Sequence, residues 1–191
     1  MKGRFVVLVG PDGVGKTSLA RELIAAHGPP TLYIHFRPHP FRRPPAVPTG
    51  GAAPPKRTDQ DLAALGWLRL VRSLAYCWVG YLRWIRPACR RGALVVGDRW
   101  IYGYVGQPQA LGFAGPLWLA RLAIRLGPAP DLVVRLSAAP EVVAARKSDL
   151  SAQEIAIENQ RWASLPGPVL DLDASRPLDE LARTMEAALA T

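Results

Sequence analysis

Apolar residues in this chain fall into two patterns that alternate along its length. Short, nearly unbroken apolar runs occur at Arg4–Val9, Leu32–Phe36, Ala93–Gly97, Asp131–Leu136 and Val169–Leu172. They are rich in β-branched residues and predict strands, and runs this continuous suit strands buried on both faces. Between them lie longer stretches with apolar residues at helical spacing. Strand–helix alternation of this kind predicts an α/β fold, a parallel sheet with helices on both faces.

The helix limits are marked by local chemistry. Ser18–Ala26 carries helix formers directly after a glycine-rich turn. Pro140 opens a helix holding Val142, Val143 and Ala144, since proline suits a first helical turn. Ser151-Ala-Gln-Glu154 is a capping box and predicts a helix to about Ser164. Pro177 precedes Leu178–Leu189, with Asp179 and Glu180 in the first turn, where the helix dipole favours acids.

Two stretches depart from the alternation. Residues 37–57 hold too much proline and glycine for a helix or a central strand. They predict a long loop, and such loops inside a compact domain are commonly lids or inserts. Residues 62–85 are helical and unusually apolar, with Trp67, Trp78, Tyr81 and Trp84 among them. Arg69, Arg72 and Arg83 interrupt the run and argue against a membrane span. Either a core helix or one facing lipid or a partner would satisfy the pattern.

The 191 residues suit one domain, 1–191, with a substantial core. Cys77 and Cys89 sit within apolar helical patterns and read as free thiols, with neither a disulfide framework nor zinc spacing. The apolar run Phe5–Val9 is too short for a secretory segment, which predicts a cytoplasmic protein. The formal net charge is +9. The excess is arginine, dispersed along the chain with no nucleic-acid-binding motif, so phosphate chemistry rather than nucleic acid is the expected reason for it.

The chemistry concentrates at Gly10-Pro-Asp-Gly-Val-Gly-Lys-Thr17, a G-x-x-x-x-G-K-[ST] phosphate loop between a predicted strand and helix. Backbone N–H groups there would converge on an anion, and the helix N-terminus adds partial positive charge. The segment therefore predicts binding of ATP through Gly10, Asp12, Gly13, Val14, Gly15, Lys16, Thr17 and Ser18. Lys16 would reach the β- and γ-phosphates, and the Thr17 hydroxyl would hold Mg²⁺.

Further segments, in chain order, resemble the thymidylate kinases and their nucleoside-monophosphate kinase relatives. They are Ile85-Arg-Pro followed by Val95-Val-Gly-Asp98-Arg99-Trp100, then Ala139-Pro-Glu-Val142 with Ala145-Arg146-Lys147, then Asp171–Leu178. The resemblance implies a five-stranded parallel sheet of order 2-3-1-4-5 and ATP- and Mg²⁺-dependent phosphoryl transfer, a reaction that rests on positioning and charge neutralisation. It implies that Asp98 joins Thr17 at the metal, and that Asp12 touches an acceptor hydroxyl. It implies that Arg99 and Arg37 grip the acceptor phosphate, with Tyr102 beside them. Arg146 would approach ATP from a short lid at 147–152, and Ala174, Ser175 and Arg176 would border adenine. A homodimer through the helices near 62–85 is implied by analogy alone.

The acceptor half departs from that pattern. Counting back from Ile85, the family's base-recognising Arg and Gln fall on Cys77 and Val79, which lack those hydrogen bonds. The proline-rich stretch replaces the family's loop after Arg37. Phe36-Arg-Pro38, Asp98-Arg-Trp100 and Ala145–Ser151 are instead similar to stretches of a divergent thymidylate kinase-like group. The expected acceptor is a nucleoside monophosphate. A sugar-type or other phosphorylated acceptor, or a nucleotide-binding switch without transfer, is the alternative. Retention of Asp12, Asp98 and Arg99 favours transfer.

Overall fold

The computed structural model describes residues 3–39, 41–48, 66–146 and 151–190. Five strands, β1 (Arg4–Val9), β2 (Thr31–His35), β3 (Leu94–Asp98), β4 (Leu132–Ser137) and β5 (Leu170–Asp173), form one sheet. All pairings are parallel and the order is β2-β3-β1-β4-β5, as the resemblance implied.

Alternate strand residues sort onto opposite faces, as the two-residue period requires. Phe5, Val7, Val9, Ile34 and Val95 pack with α2 (Gly66–Gly80), α4 (Gly103–Gly106) and α5 (Leu117–Leu126). Val6, Leu8, Tyr33, Val96 and Leu136 pack with α1 (Lys16–His27) and α8 (Leu178–Ala190). Helix α6 (Pro140–Arg146) joins this second core through Val143. The predicted capping box is present: Ser151 Oγ accepts from the Glu154 N–H, and Glu154 accepts from the Ser151 N–H at 2.8 Å. It opens α7 (Ala152–Ala163), which places Ile155 in one core and Trp162 in the other.

Helix α2 runs through a π-helical turn at Tyr81–Ile85 into α3 (Arg86–Arg90). Gly80, just before that turn, lies so close to Pro38 that any side chain there would collide with the proline ring. Of the helix expected over 62–85, residues 62–65 lie outside the described residues, and the rest is core on one side only. Leu70, Cys77 and Ile85 are buried, whereas Trp67, Val71 and Trp78 are exposed. Both cysteines are free, and burial raises the Cys89 thiol to about 11.

Part of the proline-rich loop is described. It returns along β2, where the Tyr33 N–H donates to the Pro45 carbonyl at 2.7 Å and Thr31 Oγ1 to Ala46 at 3.0 Å. It thereby occupies hydrogen-bonding groups of an edge strand, which otherwise invite foreign pairing. Residues 40 and 49–57 of that loop, and 147–150 of the expected lid, lie outside the described residues.

Candidate functional site

Parallel register brings the C-terminal ends of β2, β3 and β1 together, with Asp98 level with His35 on one side and Leu8 on the other. This is the end of an open parallel sheet where ligand crevices form. The chain leaves β1 through Gly10 (φ 141°), Gly13 (φ 85°) and Gly15 (φ 107°), conformations that glycine adopts and other residues resist. A side chain at Gly10 would strike the Leu136 carbonyl. Gly15 caps α1, so the free N–H groups of the helix face the loop. Val14 is buried as the loop's anchor, whereas Thr17 and Ser18 face outward.

Lys16 is buried, and its Nζ donates to the carbonyls of Gly10 at 2.9 Å and Pro11 at 2.7 Å. The ammonium is thereby held above the loop, 3.8 Å from Asp12 Oδ1. Asp12 in turn pairs with Arg99. Arg99 and Trp100 follow β3 with φ of 65° and 47°, left-handed conformations rare for large side chains. Such strain persists where surrounding contacts over-determine it, and it clusters at functional sites. Burial lowers the Arg99 pKa, and the charge of Glu158 acts against that.

Asp98 is buried, 3% exposed, yet carries hydrogen-bonding groups on one oxygen only. Its Oδ2 accepts from the Tyr33 hydroxyl at 3.0 Å and lies 3.1 Å from His35 Nδ1. Burial pushes this carboxyl up, but the His35 and Tyr33 bonds and the Lys16 charge outweigh it and hold it below the ordinary carboxylate value. Its Oδ1 is buried and has no hydrogen-bond partner among the described residues. An orphaned buried carboxylate oxygen of this kind calls for a cation or an ordered water. Thr17, in the first turn of α1, acts on the Tyr33 hydroxyl that bonds Asp98, lowering that hydroxyl's pKa. The two oxygens fit a hard cation such as Mg²⁺ held with substrate phosphates.

The opposite wall is built from separate elements. Arg37 Nη1 donates to Ser73 Oγ of α2 at 2.8 Å, and its guanidinium stacks on Phe36 and Tyr76 at 5.6 and 5.4 Å. Ser73 and the Tyr104 hydroxyl of α4 are 2.7 Å apart. Next to α4, buried Gln107 donates to Glu158 Oε2 of α7 at 2.9 Å. Burial raises Glu158, against the Gln107 bond and the charges of Lys16, Arg99 and Arg161. The sequence reading missed Tyr33, His35, Ser73, Tyr76, Tyr104, Gln107 and Glu158. Glu158 had a signal, since it lies between Ile155 and Trp162 on the inward face of α7.

The remaining expected positions are less central. Tyr102 is buried in the core, and burial pushes its hydroxyl up to about 12. Cys77 is buried in the same core and Val79 is exposed on the outer face of α2, so neither faces the crevice. Arg146 stands exposed at the end of α6. At the end of β5, Ala174 is buried and its N–H donates to Ser137 at 2.8 Å. Asp173 accepts from the Ser175 N–H at 2.9 Å, and Arg176 pairs with Glu180 at 2.9 Å.

The sheet order, the glycine-rich loop opening α1 and Asp98-Arg99 at the end of β3 are consistent with the P-loop kinase fold. Comparison with known proteins narrows the class. The chain is 27% identical to the thymidylate kinase of Lactobacillus acidophilus, over 99% of this chain and 94% of that protein. Its fold matches the solved thymidylate kinase of Candida albicans with a TM-score of 0.66 at 17% identity, over 99% of this chain and 92% of that one. No family model matches the sequence. In sequence and in fold the chain is similar to the thymidylate kinases.

Proposed function

We propose that this chain transfers the γ-phosphoryl group of ATP to a nucleoside monophosphate. The observation that carries the reading is the junction of Lys16, Asp12, Arg99 and Asp98 at one sheet end. In it the phosphate loop of the donor meets, through Asp12, an arginine on the far side of the crevice. Lys16 and the loop N–H groups would hold the donor phosphates, and Thr17 and Asp98 would hold Mg²⁺. The bound ion would neutralise charge on the transferring group. Arg99 and Arg37 would bind the acceptor phosphate, and Asp12 would turn from Arg99 to an acceptor hydroxyl. Arg146 would approach ATP from the lid side, and the Ala174–Arg176 turn would border adenine.

The base of the acceptor would be held differently from the family pattern, because Cys77 and Val79 offer it nothing. Phe36, Tyr76 and the Ser73–Tyr104 pair are the groups available beside Arg37. The Candida albicans relative is described as having broad substrate specificity, which fits an acceptor site open to variation. The test is ADP release from Mg-ATP with dTMP and with other nucleoside monophosphates, using Lys16→Ala as the blank. Stimulation by at least one monophosphate supports the reading. Stimulation by none, with ATP still bound, would leave a nucleotide-dependent switch as the better account.

A further inference from the structure

Asp98 is fixed along its backbone from both neighbouring strands. The Phe36 N–H, just past β2, donates to the Asp98 carbonyl at 2.8 Å, and the Arg99 N–H donates to the Leu8 carbonyl of β1 at 2.8 Å. What the backbone leaves open is the rotation of the carboxylate. Tyr33 and His35 stand two residues apart on β2, so their side chains share one face of the sheet. In register, His35 is level with Asp98 and Tyr33 with Val96, which puts all three side chains on the face that α1 covers.

Both groups converge on a single oxygen. The Tyr33 hydroxyl donates to Oδ2 at 3.0 Å, and His35 Nδ1 lies 3.1 Å from the same atom. An ionised carboxylate only accepts, so Nδ1 carries the hydrogen of that bond. Oδ1 is buried as well and is left bare among the described residues. If the two residues served only to satisfy a buried charge, covering both oxygens would serve better, because a bare buried acceptor carries its full desolvation cost. The arrangement instead sorts the carboxylate into one oxygen held by protein and one kept open. That division bears on the choice of cation. A carboxylate pinned through one oxygen can offer a cation only the other. Mg²⁺ takes single oxygens in a tight octahedron and keeps several waters, whereas the larger Ca²⁺ takes roughly six to eight oxygens and readily uses both of a carboxylate.

We propose that Tyr33 and His35 are positioning residues that hold Asp98 to ligation through one oxygen and thereby select Mg²⁺ over Ca²⁺. The inference rests on the reading that Thr17 and Asp98 hold the metal. Each residue acts through Asp98 Oδ2 and not on the cation itself. The test is binding of Mn²⁺, a spectroscopic stand-in for Mg²⁺, to the full chain with ADP, read by electron paramagnetic resonance with Mg²⁺ and Ca²⁺ as competitors. Tyr33→Phe keeps the ring and removes only the hydroxyl, and it should weaken Mn²⁺ and Mg²⁺ about tenfold. His35→Ala should weaken them about threefold, and His35→Asn, whose amide N–H can replace Nδ1, should restore most of that loss. Tyr33→Phe with His35→Ala should narrow the preference for Mg²⁺ over Ca²⁺ about tenfold, because Oδ2 is then free to join the cation. Tyr33→Phe alone should narrow it about threefold, so the test does not hang on the double variant folding. A merely structural role would weaken both cations alike. ADP affinity in EDTA should stay at the wild-type value, which shows that each variant is folded. A wild-type Mg²⁺ to Ca²⁺ ratio in Tyr33→Phe and in the double variant would overturn the inference and leave the metal reading standing. Wild-type Mn²⁺ affinity in Asp98→Asn would strike the metal reading itself, and the inference would fall with it.

Discussion

The two ends of the site are built in opposite ways. At the proposed donor end, the loop from Gly10 to Ser18 supplies nearly every group, and one later residue, Asp98, is added by register. At the proposed acceptor end, Arg37, Ser73, Arg99, Gln107 and Glu158 come from five separate segments. A contiguous loop whose backbone does the binding leaves few acceptable substitutions, because its glycines are fixed by φ and its lysine by carbonyl contacts. A wall assembled from distant side chains can exchange them one at a time. Donor chemistry can therefore stay constant while acceptor choice drifts.

That contrast can be broken first at the donor end. Lys16→Ala should reduce transfer about a thousandfold, a loss of several kcal/mol of transition-state stabilisation, in steady-state ADP release. Asp98→Asn should come close to it and should be partly relieved by raised Mg²⁺. Arg99→Ala should cost roughly a hundredfold and appear chiefly in the KM for the acceptor, with ATP binding by calorimetry unchanged. If Arg99→Ala weakens ATP binding instead, the division between the two ends is wrongly drawn.

A smaller effect separates two carboxylates by sign, buried Asp98 and half-buried Glu158. Asp98 is held below the ordinary carboxylate value, so its ionised form stabilises the fold. That contribution is present above its unfolded value and is lost as pH falls through the lowered folded one. Glu158 is raised, so its ionised form costs stability, and the cost is relieved as pH falls through the raised folded value. Glu158→Gln should therefore raise the thermal midpoint by roughly 2 °C at neutral pH, with the gain fading on acidification. Asp98→Asn should lower the midpoint at neutral pH, and that loss should also fade in acid. The same Glu158→Gln change should slow transfer about tenfold, since Glu158 faces both Arg99 and Lys16. A gain in stability with no loss of rate would make Glu158 a bystander.

Much of the fold was legible because local rules and tertiary demands agree. The strands β1 and β3 are continuous apolar runs, and the sheet buries them on both faces. Ser151 and Glu154 formed the capping box their spacing foretold. The partnership of Tyr33, His35 and Asp98 was not legible, because only the parallel register sets residues 63 and 65 positions apart side by side. The exposed face of α2 was ambiguous for a different reason. That helix is apolar nearly all round, so periodicity alone does not say which side lacks a neighbour. Glu158 was legible in principle, as a charge set between two residues that the fold buries completely.

The most direct measurement follows the γ-phosphoryl group of labelled ATP over a panel of nucleoside monophosphates, with wild-type protein and Lys16→Ala. The account predicts label in a nucleoside diphosphate for at least one acceptor, lost in the variant. Label that stays on ATP, or passes to water at the same rate with and without every acceptor, would contradict it.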